Sequence, residues 1–209
     1  MTLFSNPFLF ILSALSLVIA ITVHEFAHAK TADTLGDPTP RLQGRVTLNP
    51  RSHLDLYGTI FLLIAGFGWG KPVQFDPFNL ENERRDAALI SIAGPASNII
   101  MALVSSAILY LFTIFQTDIP LIMGSFFIVF IRMNFMLAIF NLIPIEPLDG
   151  FKIVEGVLSE SQAREWRTLK RYGFLFLMML ILPFNGVSML HLIIDPAVTL
   201  LSSIFIPAF

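Results

Sequence analysis

Residues 21–30 read ITVHEFAHAK, and they continue without a break from LFILSALSLVIA at 9–20. The upstream part has the composition of a bilayer interior, where a crossing helix needs about 20 consecutive apolar residues. The downstream part sets His24 and His28 four apart with Glu25 between them. That pattern on a helix asks for a zinc ion, because residues four apart share a face and two imidazoles can then grip one metal. This stretch decides the fold class: an all-α polytopic membrane protein with ionisable side chains inside its first span.

Composition supports that reading. Of 209 residues, 55% are hydrophobic and 13% charged, the mean hydropathy is +0.75, and 21 residues are phenylalanine. A soluble domain carries about 25% charged residues. No internal repeat and no Gly/Ser-rich or Pro-rich linker divides the chain, so one membrane-embedded domain over 1–209 is expected. The absence of cysteine removes disulfides and thiolate ligands, which leaves His, Asp and Glu to build any metal site. A net charge of -2, without a basic stripe interleaved with aromatics, argues against a nucleic-acid partner.

Working outward, apolar runs predict spans at 7–32, 87–115, 120–143 and roughly 173–194, giving a bundle of about four to five transmembrane helices. The first span has no cationic leader before it and no small-residue cleavage site after it, so it is expected to be retained. The tail, PAVTLLSSIFIPAF, is apolar but short, and is expected at the interface or packed on the bundle. Residues 57–68, YGTIFLLIAGFG, are too short to cross and predict a re-entrant segment. RVTLNP at 45–50 and GKPVQFDP at 70–77 flank it and read as strands of a small membrane-embedded β-hairpin region. Strands at that depth need protein or a water-filled cavity beside them, since lipid offers no hydrogen bonds.

Lys30 stands at the end of the first span, Arg41, Arg45, Arg51, Arg84 and Arg85 lie between the first two spans, and Lys152, Arg164, Arg167, Lys170 and Arg171 follow the 120–143 span. Residues 1–6 and 116–119 hold no Lys or Arg. By the positive-inside rule the charged loops face the cytoplasm. From Phe8 to His24 a helix rises about 24 Å at 1.5 Å per residue, which puts the histidines toward the cytoplasmic side. A hydrolytic zinc site needs a third protein ligand and an open position for water. Asp149, in FNLIPIEPLDG at the cytoplasmic end of its span, reaches the same leaflet and is the candidate. Glu25, rotated aside from the histidines, is the candidate acid/base. The bland alternatives are a decorative motif and, for Asp149, an ordinary Asp-Gly turn. Against the first, ionisable groups inside a span are expensive, and three share this one.

HEFAH, AGPASN at 93–98 and NLIPIEPLDG at 141–150 resemble the motifs of the site-2 protease family of intramembrane zinc metalloproteases. GDPT, GRVTLNPRSHLD and GFGWGKPV are similar to its compact branch without PDZ or CBS domains; Glu146, Phe151 and Leu56 depart from the family pattern. The resemblance implies Zn2+ held by His24, His28 and Asp149, Glu25 as acid/base, and Asn141 assisting the substrate or its oxyanion. It also implies a transmembrane protein or peptide substrate, a bilayer setting and a bacterial cell membrane with the site toward the cytoplasm. The sequence leaves oligomeric state open. Rival functions are a metal transporter, which would show midplane ligands and repeated halves, and a catalytically silent protein that binds membrane segments. Among other residues, Asn134, Ala138 and Asn141 share a helical face, and with Asn98 the asparagines are expected to hydrogen-bond between helices. Gly94 and Pro95 predict a close crossing or a kink. Arg132 is expected to pair or line a cavity, His53 to be an interfacial or gating group, and His191 to be structural near the outer end of the last span.

Overall fold

The computed structural model describes residues 6–65, 69–184 and 187–207, apart from the side chains of 61–65, 184 and 187. Three of its helices are long and apolar enough to cross a membrane: α1 (Pro7–Thr34), α4 (Glu83–Ile114) and α5 (Leu121–Leu142). Between them lie the short α2 (Thr39–Leu42) and α3 (Leu56–Ala65). After them come α6 (Asp149–Val157), α7 (Glu160–Thr168), α8 (Gly173–Ile181), the two-residue strands β1 (Pro183–Phe184) and β2 (Val187–Ser188), and α9 (Met189–Phe205).

Local chemistry sets these limits. Asn6 caps α1 by accepting from Leu9 N–H at 3.0 Å, and Pro7 fills the first helical turn, where a missing donor does no harm. Asn82 caps α4 in the same way through Arg85 N–H at 3.1 Å. Ile143 turns extended before Pro144 and ends α5, because a residue preceding proline is pushed out of the helical region. The same rule divides the single span expected at 173–194: Leu182 turns extended before Pro183, and an antiparallel hairpin of Pro183–Phe184 with Val187–Ser188 separates α8 from α9.

The three long helices pack on one another, with α4 in contact with both α1 and α5, and α9 lies along α5. Ala102 and Leu109 of α4, Ile131 and Phe135 of α5, and Ile194 and Val198 of α9 form the main buried apolar cluster. The tail therefore packs on the bundle. Tyr110 and Ser106 of α4 donate to the carbonyls of Ile204 and Phe205, tying down the end of α9. The Glu160–Thr168 helix starts with a full capping box at Ser159 and Gln162. Arg132 is exposed midway along α5 and makes no ion pair among the described residues, so the expected partner is not found there. His191 bonds Ser188 Oγ through Nδ1 at 2.6 Å and helps fix the start of α9.

The predicted strands at 45–50 and 70–77 are not regular strands. Among the described residues the nearest ladder-like pairing is an isolated bridge between Leu54, beyond the first segment, and Gly70; Pro50, Pro72 and Pro77 break the run of ladder donors. Side chains replace the missing ladder. Asp37 is fully buried and collects four donors: Thr39 N–H at 3.0 Å, Thr39 Oγ at 2.6 Å, Asn79 Nδ2 at 2.8 Å and Asp76 N–H at 2.8 Å. It joins the end of α1 to the chain entering α4. Of the re-entrant expectation, α3 has 10 residues and rises about 15 Å, half the hydrocarbon thickness. Residues 66–68 lie outside the described residues.

Burial alone would push the Asp37 carboxyl up, but its bonds from Thr39, Asn79 and Asp76 outweigh that and hold it below the ordinary carboxylate value. A lowered folded-state pKa means stability that is complete above the unfolded value of about 3.9 and is lost as pH falls through the lowered one. Asp37→Ala removes the buried acceptor of four hydrogen bonds and should lower stability by about 1–3 kcal/mol, read as a lower melting temperature in detergent at pH 7. The gap between variant and wild type should close as pH falls below about 3.9.

Candidate metal centre

His24 and His28 lie one turn apart on α1 and both are buried. Their rings meet edge to face with centroids 4.6 Å apart. Asp149 is the first residue of α6, brought under α1 by the Pro-rich turn that follows α5. The Asp-Gly pair allows that approach. A Cβ at Gly150 would collide with the carbonyls of Leu142 and Ile143, so only glycine lets α6 start against the end of α5.

The result is a triangle of ligand atoms. His24 Nε2 and His28 Nε2 are 3.0 Å apart, and each is 3.2 Å from Asp149 Oδ2. Zinc bonds of 2.0–2.2 Å in tetrahedral geometry imply ligand separations of about 3.4 Å. The protonation pattern sharpens the fit. His24 Nδ1 faces Asn98 Oδ1 at 2.6 Å, and His28 Nδ1 faces the Ile90 carbonyl at 2.7 Å. Both acceptors are oxygens, so each Nδ1 carries the proton and each Nε2 presents a lone pair. Asp149 Oδ2 is buried with no hydrogen-bond partner. Two nitrogen lone pairs and a carboxylate oxygen thus converge with no proton between the nitrogens, an arrangement that a cation satisfies and that is repulsive without one. The donor set is hard-to-borderline, without sulfur, and fits zinc. His24, His28 and Asp149 could therefore hold a metal ion.

The orientation of Asn98 is itself fixed. Its Nδ2 donates to Asn134 Oδ1 at 2.9 Å and toward the Ala20 carbonyl at 3.3 Å, while Asn134 Nδ2 donates to the Phe130 carbonyl at 2.9 Å. Both amides are fully buried, and this relay through α5, α4 and α1 leaves Asn98 Oδ1 as the acceptor for His24. The expected bond between Asn98 and Asn134 is present. Gly94 makes the crossing close: a Cβ there would stand within 2.6 Å of His24 Cε1 and collide with the His28 ring.

The Glu25 carboxylate is not one of the triangle's atoms. Its Oε2 accepts from Val73 N–H at 2.9 Å and lies 3.7 Å from Arg45 Nη2. Sequence reasoning misses both partners, although the motifs GRVTLNP and GKPV contain them. Asn141 is not in the cluster; its Nδ2 donates to the Leu137 carbonyl of its own helix at 3.0 Å. His53 is fully buried, with Nε2 donating to the Thr47 carbonyl at 2.7 Å. Burial pushes its pKa down, with the Thr47 bond opposing. Phe151 belongs to the core, stacked 5.1 Å from Trp166, whose indole N–H donates to the Phe151 carbonyl at 3.0 Å.

Two substitutions test this geometry without touching a ligand. Asn98→Ala should weaken zinc affinity by about 10–100-fold, measured by competition with a chelator, because His24 loses the bond that sets its tautomer. Gly94→Ala should lower zinc content more severely, since the added methyl displaces the imidazole rings.

With the geometry in place, the comparisons with known proteins fall into line. The family model for peptidase family M50 matches residues 12–117 and 111–182. The chain is 36% identical over 201 residues to the Bacillus subtilis (strain 168) protein named "Putative zinc metalloprotease YwhC", covering 92% of each chain. It is 31% identical over 172 residues to the Mycobacterium tuberculosis (strain ATCC 25618 / H37Rv) protein named "Putative zinc metalloprotease Rip2", covering 79% of this chain and 64% of that one. The Rip2 of Mycolicibacterium smegmatis (strain ATCC 700084 / mc(2)155) is 31% identical over 185 residues, with 83% and 67% covered. No solved structure matches. The extent of these matches makes the conclusion plain: the chain belongs to peptidase family M50.

Proposed function

We propose that this single membrane-embedded domain cuts a membrane-protein substrate within or near a transmembrane segment, at a site formed by His24, His28, Asp149 and Glu25. Membership of family M50 makes the chain an intramembrane zinc metalloprotease. The observation that carries the assignment of residues is the convergence of His24 Nε2, His28 Nε2 and Asp149 Oδ2 within 3.2 Å of one another on helices of the bundle.

Zinc, when bound, supplies a Lewis acid that polarises the scissile carbonyl and lowers the pKa of water to about 7. The protein's own groups do the rest. His24 and His28 hold their Nε2 lone pairs inward through the bonds to Asn98 and Ile90. Glu25 accepts the proton of the attacking water and delivers it to the leaving amine. Asn141 assists at the substrate carbonyl once its amide leaves Leu137. A helical substrate must unwind first, since its carbonyls are bonded within the helix. The site takes water from the cytoplasmic face of a bacterial cell membrane, a reading supported by the clustering of Lys and Arg in the loops beside it. Neither rival function gains support: no repeated halves are visible in the sequence, and Glu25 stands beside a complete ligand set, which a silent binding protein does not need.

Glu25→Gln keeps the shape of the side chain and removes its proton acceptor. Cleavage of fluorogenic helical peptides of about 25 residues with a helix-breaking Gly-Pro centre should fall by about 10²–10⁴-fold, with zinc content unchanged. Undiminished cleavage by this variant would sink the proposal.

A further inference from the structure

We propose that Arg45 is a positioning residue for Glu25: its guanidinium clamps one carboxylate oxygen and leaves the other for proton transfer. The inference rests on the reading of Glu25 as acid/base. Arg45 lies in the loop after α2 and is 4% exposed. Its Nη2 donates to the Lys71 carbonyl and stands 3.7 Å from Glu25 Oε2. The same oxygen takes the Val73 N–H at 2.9 Å. Lys71 N–H in turn donates to the His53 carbonyl at 2.7 Å, and His53 is anchored to Thr47. Segments 45–53 and 69–73 are thereby locked to each other, and Arg45 carries that lock to Glu25.

The contacts divide the carboxylate. Both Val73 N–H and Arg45 address Oε2. Oε1 faces Gly70, where even an added Cβ would stand 3.8 Å away. Oε2 is held, and no hydrogen bond to Oε1 is found among the described residues, which is what a base needs if it is to meet a water in a fixed direction.

Packing alone does not account for the arginine. Burying a cation is costly unless it is fully paired, and an apolar side chain of similar size commonly serves stability as well or better. Here the pairing is incomplete: Arg45 Nε has no partner, and 3.7 Å to Glu25 is an ion-pair distance rather than a hydrogen bond. The planar fork can face a carbonyl and a carboxylate together, which a lysine ammonium does less well.

The test compares wild type, Arg45→Met, Arg45→Lys, Glu25→Gln and the Arg45→Met/Glu25→Gln double variant in detergent. The readouts are zinc content, kcat and KM on the Gly-Pro helical peptides, and melting temperature. The expected result for Arg45→Met is zinc content equal to wild type, KM within about twofold and kcat lower by about 100-fold, the scale of a small misplacement of a reacting group. Arg45→Lys should recover part of kcat. Arg45→Met should also lower the melting temperature more in the wild-type background than in the Glu25→Gln background, because only the carboxylate is left as an unpaired charge. Wild-type kcat in Arg45→Met, loss of zinc with loss of activity, or equal melting shifts in the two backgrounds would overturn the inference. Full activity in Glu25→Gln would instead overturn the assignment of Glu25, so the two failures are distinguishable. The melting comparison does not depend on turnover.

Discussion

The hydrogen bonds from the two histidine Nδ1 atoms to α4 are what the rest of the site depends on. An imidazole whose Nδ1 proton is committed to an oxygen has one course left for Nε2, to present a lone pair. Asn98 and the Ile90 carbonyl impose this on His24 and His28 at 2.6 and 2.7 Å. The ligand set is therefore oriented by the contact between α1 and α4, and only glycine at position 94 lets those helices come close enough. Metal ligands are commonly held this way, and such partners carry a large share of the affinity.

The same helix–helix contact explains why polar amides sit deep in an apolar bundle. Three hydrogen bonds in series run from His24 through Asn98 and Asn134 to the Phe130 carbonyl, tying three helices to one ring. A half-satisfied amide in that setting would be costly, whereas a connected relay fixes one arrangement of α1, α4 and α5. Fold and chemistry share these atoms, so the bundle cannot repack without disturbing the ligands. On the other side of α1, the proline-containing segments 45–55 and 69–77 lack a ladder and are held by the buried side chains of Asp37, Arg45 and His53.

Much of this is legible in the sequence because it rests on local periodicity. His24 and His28 share a face by spacing alone, and the three long helices follow from unbroken apolar runs. Asp149 can be matched to the same depth by counting residues along its span. What the sequence conceals is non-local. The strand-like look of 45–50 and 70–77 reflects β-branched residues and prolines, but pairing requires donors that Pro50, Pro72 and Pro77 lack. The span expected at 173–194 is a continuous apolar run, and the effect of Pro183 on Leu182 divides it. The grip of Val73 and Arg45 on Glu25 crosses 48 and about 20 positions of sequence, and only the motifs around them hint at a role.

The central claim is that His24, His28 and Asp149 bind one zinc ion between two distant parts of the chain. Metal content by mass spectrometry, on detergent-purified wild type beside His24→Ala and Asp149→Ala, tests it most directly. The account predicts about one zinc per wild-type chain and loss or strong weakening in both variants, because a three-ligand site gives way when any ligand is removed. Zinc retained at wild-type level in Asp149→Ala, with the protein folded, would contradict it and move the third ligand elsewhere.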